Sequence, residues 1–137
     1  MATPMIKKPD PILSTIKQAT VIAIDELVDE EVTLLIDGTL VTCFASYFPY
    51  EIKVGMTYAV ELTLYLSEHY ETQKISSTSI LIERIDNSFA YVLYGTLNNN
   101  TFNTFTLLTV DGIHHDHPDL NDSLIKLTVE RIDVAFL

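Results

Sequence analysis

The chain has 137 residues, enough for one domain with its own hydrophobic core, and its single cysteine, Cys43, excludes an internal disulfide. It carries 19 Asp and Glu against 8 Lys and Arg, a net charge of −11. Nucleic acids and anionic membranes attract basic side chains, so this balance argues against both as partners. A basic protein or a cation is compatible with it, although acidity also serves only to keep a protein soluble.

Three prolines in the first eleven residues predict that residues 1–16 form an N-terminal arm, followed by a single β-barrel domain over residues 17–137. The first residues show no apolar stretch of the kind found in signal peptides. No apolar run approaches the ~20 residues that a membrane-spanning helix needs. We therefore expect a cytoplasmic protein with Cys43 reduced.

Alternating apolar and polar residues, separated by turns, predict about eight or nine short strands. In the clearest, Val54–Leu66, every second residue is apolar, and Asp37-Gly38 is typical of a type I′ hairpin turn. The other predicted strands are Thr20–Ile24, Val32–Ile36, Leu40–Phe48, Ile75–Ile85, Phe89–Leu97, Phe102–Val110 and Leu124–Phe136. The pattern predicts an all-β fold, either a small antiparallel barrel (OB-like, SH3-like or Greek-key in type) or a sandwich.

The predicted strand Leu40–Phe48 is apolar on both faces. Such a strand is normally covered twice, here by the core and by an arm, a loop or another subunit.

The string Glu-Arg-Ile-Asp occurs at residues 83–86 and again at 130–133. At both places the apolar positions change from one strand face to the other. A change of face needs a β-bulge or a strand that passes between two layers. We therefore predict bulges near Glu83-Arg84 and Glu130-Arg131, which would help a small sheet to close.

A histidine-rich segment, His114–Asp119, is the best candidate for a metal site. In an extended chain His115 and His117 would share one face, and Asp119 would approach them after Pro118. Imidazole and carboxylate groups are ligands for zinc and other divalent metals. The alternative is a solvent-exposed loop whose side chains make local turns.

Two further segments are candidates for binding a partner. An acidic turn contains Asp25, Glu26, Asp29, Glu30 and Glu31, but it lacks the spacing of a calcium loop and is also compatible with a simple solvated turn. An aromatic corner follows, in which we expect Phe44 and Phe48 to lie in the core. Tyr47 and Tyr50 would then line a pocket or an interface, or plug the barrel end.

No nucleophile elbow, P-loop, dinucleotide fingerprint or HExxH motif occurs. The sequence therefore favours a non-enzymatic interaction module, for example an inhibitor or immunity-type protein that neutralises a basic partner. One alternative is a barrel that binds a metal or small ligand through the His114–Asp119 segment. Another is a self-associating structural protein, such as a homodimer that buries strand Leu40–Phe48.

Overall fold

The structure, a computed structural model, describes residues 16–137 and is nearly all β. Within these residues the chain forms eleven strands: β1 (Ile16–Ile24), β2 (Glu31–Ile36), β3 (Thr39–Phe44), β4 (Thr57–Tyr65), β5 (Thr72–Lys74), β6 (Ile82–Arg84), β7 (Tyr91–Asn98), β8 (Thr101–Asn103), β9 (Leu107–Thr109), β10 (Ser123–Val129) and β11 (Arg131–Phe136). A short helix, α1 (Ile113–Asp116), and a 3₁₀ turn, Pro118–Leu120, precede β10. The predicted arm lies outside the described residues, except Ile16, which begins β1.

Five strands close into a barrel in the order β1-β2-β3-β11-β4, with β4 returning to β1. All pairs are antiparallel except β3 with β11, which is parallel. Buried residues such as Val21, Leu34, Val41, Val60 and Val134 belong to its core. The prediction of a small, largely antiparallel barrel is confirmed.

The remaining strands form a second sheet in the order β5-β10-β7-β8-β9, with β6 also paired to β7. This sheet lies between β4 and β11 in the sequence, so the last strand of the barrel comes from the chain beyond the second sheet.

Tyr91 of β7 and Phe89, which precedes β7, both contact β3. The backbone N–H of Thr42, which is buried, donates a hydrogen bond to the hydroxyl of Tyr91 at 2.8 Å. The ring of Phe44 meets that of Phe89 edge-on at 5.5 Å. The second covering expected for this strand therefore comes from another layer of the same chain, although Leu40 remains 59% exposed.

The chain passes from one sheet to the other at Glu130. Before it, Ile125, Leu127 and Val129 are buried, and after it the buried positions move by one to Ile132 and Val134. The bulge predicted near Glu130-Arg131 is therefore wrong, because the change of face comes from a passage between layers, the other cause considered for it.

The bulge predicted near Glu83-Arg84 is wrong. Strand β6 pairs with β7 in regular register over three residues, and Ile85 lies beyond its end. A bulge occurs instead in β1, where the register with β2 shifts between Val21 and Ala23. Ile22 and Ala23 are both exposed, so Ile22 and Ile24 do not share a face of the strand.

Two long predicted strands are interrupted. Residues 75–81 are not strand, and the hydroxyl of Thr78 both donates to the carbonyl of Ile80 and accepts from its N–H, which competes with sheet pairing. The segment Phe102–Val110 folds back as the β8–β9 hairpin. The turn at Asp37-Gly38 has positive φ at both residues, as predicted for type I′.

Candidate binding groove at the acidic corner

A groove of about 320 Å³ lies where the β1–β2 turn meets the segment 45–56 that joins β3 to β4. Its lining is apolar at the base and acidic at the rim: Ile24, Asp29, Phe48, Tyr50, Glu51 and Ile52. The apolar side chains are half-buried, whereas both carboxylates and Tyr50 are exposed. The arrangement offers an apolar floor and a negatively charged edge to a ligand.

The bulge in β1 brings Ile24 to this groove. Ala19 and Val21 point into the barrel, and two consecutive exposed residues, Ile22 and Ala23, then shift the alternation by one. Ile24 consequently lies on the inner side at the end of β1, where it contributes to the floor of the groove.

The acidic turn is shaped by Asp25. One carboxylate oxygen of Asp25 accepts hydrogen bonds from the N–H groups of Leu27 and Val28, each at 2.8 Å. These two bonds lower the pKa of the Asp25 carboxyl, and the bond from Val28 has the larger effect. The turn closes through the bond from Glu31 N–H to the carbonyl of Val28, and it leaves Leu27 95% exposed.

The five acids of this turn therefore have different roles. Asp25 holds the turn, and Glu31 pairs with Arg84 of β6 at 3.8 Å. The backbone carbonyl of Glu30 accepts a bond from Ala45 N–H, while its side chain is exposed, as is that of Glu26. Of the five predicted residues, only Asp29 lines the groove.

Aromatic contacts fix the segment 45–56 against the barrel. The ring of Phe48 lies 5.8 Å from that of Phe136, and the ring of Tyr50 lies 5.8 Å from that of Tyr58. The Tyr50 hydroxyl donates to the carbonyl of Leu137 at 2.7 Å. Phe48 is half-buried and packs against the core, as expected.

Tyr50 and Tyr47 differ in position. Tyr50 lines the groove, whereas Tyr47 is 70% exposed and is not among the lining residues. Sequence reasoning also missed Glu51 and Ile52. The signal in the sequence was an acidic residue followed by an apolar one after Pro49. The groove itself forms only because this segment packs beside Ile24.

The histidine-rich segment is helical rather than extended, so the geometry expected for it is wrong. The ring of His115 lies 4.0 Å from that of His114 and is tilted against it by 37°, while His117 meets the ring of Tyr70 edge-on at 5.7 Å. The hydroxyl of Tyr70 donates to Asp116 at 3.0 Å, and burial together with this contact raises the pKa of Tyr70 to about 12.

A three-ligand metal site is not assembled in the structure. Across residues 16–137, no group of three His, Cys, Asp or Glu side chains is arranged to hold a metal ion. The site expected at His115, His117 and Asp119 thus gains no geometric support.

Cys43 lies inside the barrel and is fully buried. Burial raises the pKa of its thiol, so the thiolate needed for nucleophilic chemistry is disfavoured. In the part of the chain from Ile16 onwards, no helix is both long and apolar enough to cross a membrane.

The chain was compared with known families, curated proteins and solved structures. No curated protein and no solved structure matches the chain. The model of the family described as "Uncharacterised conserved protein UCP019853" matches residues 15–137, which include both sheets and every residue of the groove. The chain belongs to this family.

Proposed function

We propose that this protein is a small acidic, non-enzymatic interaction module that binds a basic protein partner at the groove. An inhibitor or immunity-type protein that neutralises a basic toxin or nuclease is one concrete form. The observation that carries the proposal is the pairing of an apolar floor with the exposed carboxylates of Asp29 and Glu51. Apolar contacts at the centre and charges at the rim are the usual anatomy of a protein interface.

The rim carboxylates are exposed in the described part of the chain. Among residues 16–137, the ion pairs are those of Arg84 with Glu31 and of Arg131 with Asp133, and neither Asp29 nor Glu51 takes part. With a net charge of −11, the whole chain would attract a basic protein and accelerate its association.

Exposed apolar side chains next to the groove extend the surface. The segment that carries Glu51 continues to Val54 and Met56, which are both more than half exposed. Backbone hydrogen bonds of Val21 with Gly55 and Met56 hold this segment against β1, next to the exposed Ile22. Such clustering is typical of an interaction site.

The barrel type offers a weaker, analogical argument. In OB folds, which are five-stranded barrels, the loop between the first two strands takes part in ligand binding. Here that loop is the acidic turn, which supports a site for a basic ligand rather than a nucleic acid.

The test is a comparison of three forms of the protein. The groove variant is Asp29→Asn/Glu51→Gln, which removes two charges and keeps side-chain shape. The control variant, Glu71→Gln/Asp119→Asn, removes the same charge from two exposed residues outside the groove. Each form is immobilised and exposed to native cell lysate, and any protein retained is then purified and tested for direct binding.

A basic protein that binds the wild type and the control variant directly, but the groove variant much more weakly, supports the proposal. Equal binding to all three forms, or no specific partner at all, would contradict it. Because the attraction is electrostatic, the association should slow as ionic strength rises.

Self-association has less support, since Tyr91 and Phe89 already contact β3. It stays a prediction that light scattering tests, with a clean monomer at high concentration as the contrary result. A cytoplasmic location is part of the proposal and agrees with the buried free thiol of Cys43.

A further inference from the structure

We infer that the occupant of the groove is one arginine or lysine side chain of the partner. Its aliphatic stem lies along Ile24, Phe48 and Ile52, and its charged head lies at the rim beside Asp29 and Glu51. The inference rests on the proposed function and names the chemical group that the groove recognises.

The groove has an apolar part and a charged part that match the two parts of a long basic side chain. Arginine and lysine combine an apolar stem with a charged head, and they bury the first while the second stays close to water. The half-buried apolar base and the exposed carboxylates are arranged in that sequence, from the inside outwards. An apolar side chain would gain nothing from the rim, and an acidic one would be repelled by it.

The aromatic rings add an attraction that is specific for a cation. Phe48 and Tyr50 both line the groove, and the face of such a ring attracts a guanidinium or ammonium group. Contacts with Phe136 and Tyr58 hold these two rings in place before any ligand arrives. A preformed site loses less conformational entropy on binding.

The chain already uses this combination elsewhere. The guanidinium of Arg131 lies 4.4 Å from the ring centroids of both Phe44 and Tyr65. The same guanidinium donates to the carboxylate of Asp133 at 2.7 Å. Two aromatic rings and a carboxylate therefore surround an arginine head group in this protein, and the groove also combines aromatic rings with carboxylates, with no arginine among its lining residues.

The size of the groove also fits a single side chain. A volume of about 320 Å³ is at the lower end of the range for small-molecule pockets and accommodates one long side chain. The main chain of the partner would then lie outside, against exposed residues such as Val54 and Met56.

The test uses small probes in place of the partner. Nα-acetyl-arginine methylamide and Nα-acetyl-lysine methylamide are titrated into the full chain, and the methyl signals of Ile24 and Ile52 are followed by NMR. Nα-acetyl-norleucine methylamide, which has an uncharged aliphatic chain, is the matched control probe. We expect saturable shifts with the basic probes, with dissociation constants of the order of millimolar because the ligands are small.

The inference also requires that the norleucine probe bind at least about tenfold more weakly than the basic probes. The groove variant should lose binding of the basic probes, while the control variant should retain it. Arginine binding more tightly than lysine would identify the guanidinium as the preferred head. Equal binding of norleucine, or no shift with either basic probe, would overturn the inference.

The two proposals fail in different ways. A protein partner whose binding depends on the groove, together with silent basic probes, would overturn this inference and leave the proposed function intact. Binding of the basic probes with no protein partner would overturn the proposed function and, with it, the partner's part in the inference.

Discussion

The hydroxyl of Tyr50 donates a hydrogen bond to the carbonyl oxygen of Leu137 at 2.7 Å, although the two residues are 87 positions apart. The contact ties the segment 45–56 to the end of β11, the last strand of the barrel. Because Tyr50 also lines the groove, the shape of the groove depends on the completion of the barrel.

Tyr50→Phe removes this hydrogen bond and keeps the ring. We expect a loss of about 1 kcal/mol or less in the free energy of unfolding, because the bond is exposed. Affinity for the arginine probe should fall about threefold, since the segment must then be ordered on binding. Tyr47→Phe is the matched control, as Tyr47 lies outside the groove. A Tyr50→Phe protein with wild-type affinity would show that this contact does not position the groove.

The acidic turn should respond to pH through Asp25. The N–H groups of Val28 and Leu27 lower the pKa of this carboxyl below the ordinary aspartate value of ~3.9. The stabilisation is therefore present above the unfolded-state pKa and is lost as pH falls through the lower, folded-state pKa. An NMR titration should show the amide signals of Leu27 and Val28 moving with the same low midpoint.

Asp25→Asn should keep an acceptor oxygen in the turn and abolish this pH dependence, whereas Asp25→Ala should loosen the turn at every pH. Amide signals of Leu27 and Val28 that move at ~3.9 in the wild type would show that the two bonds do not form in solution.

The barrel and the second sheet are joined by a buried hydrogen bond. Tyr91→Phe leaves the N–H of Thr42 without its partner, which should cost about 1–3 kcal/mol in the free energy of unfolding. Tyr94→Phe is the control, because the Tyr94 hydroxyl makes only an exposed bond of 3.3 Å to Glu83 and should matter by less than about 0.5 kcal/mol. Urea unfolding measures both. Equal small losses would mean that water replaces the Tyr91 hydroxyl.

Gly95 is required by close packing of the backbone. A Cβ atom at this position would lie 2.2 Å from the carbonyl oxygen of Asn103 and 2.9 Å from the Cα of Thr104. Since backbone atoms cannot give way locally, we expect Gly95→Ala to destabilise the protein by about 3 kcal/mol. Thr96→Ala, at an exposed neighbouring position, should cost less than about 1 kcal/mol. Thermal unfolding distinguishes the two, and similar melting temperatures would contradict the packing argument.

The sequence predicts the strands correctly where apolar and polar residues alternate and no side chain interrupts the pairing of the backbone. The move of the apolar positions around Glu130 is visible without a structure, and it marks the passage from the second sheet to the barrel. The bulge in β1 gives no such signal, because every residue from Val21 to Ile24 is apolar. The stretch before Ile82 misleads for another reason, because the hydroxyl of Thr78 takes backbone bonds that a sheet would use.

The groove is less accessible to sequence reasoning. The sequence predicts two of its lining residues, the acidic Asp29 and the aromatic Tyr50. Asp25 and Glu31 look equivalent to Asp29 in the sequence, but a local turn and a distant arginine engage them. Ile24 reaches the groove through the bulge in β1, and Glu51 reaches it through the packing of the segment 45–56 against the barrel. Neither feature can be read from the residue types alone.

The most direct test of the groove is the affinity of a purified basic partner for wild type, groove variant and control variant at low and high salt. At an ionic strength of about 0.05 M, we expect Asp29→Asn/Glu51→Gln to weaken binding at least about tenfold and the control variant to bind almost as well as wild type. The difference should shrink at about 0.3 M, because the charges are exposed. Equal affinities of the wild type and the groove variant at low salt would contradict the account.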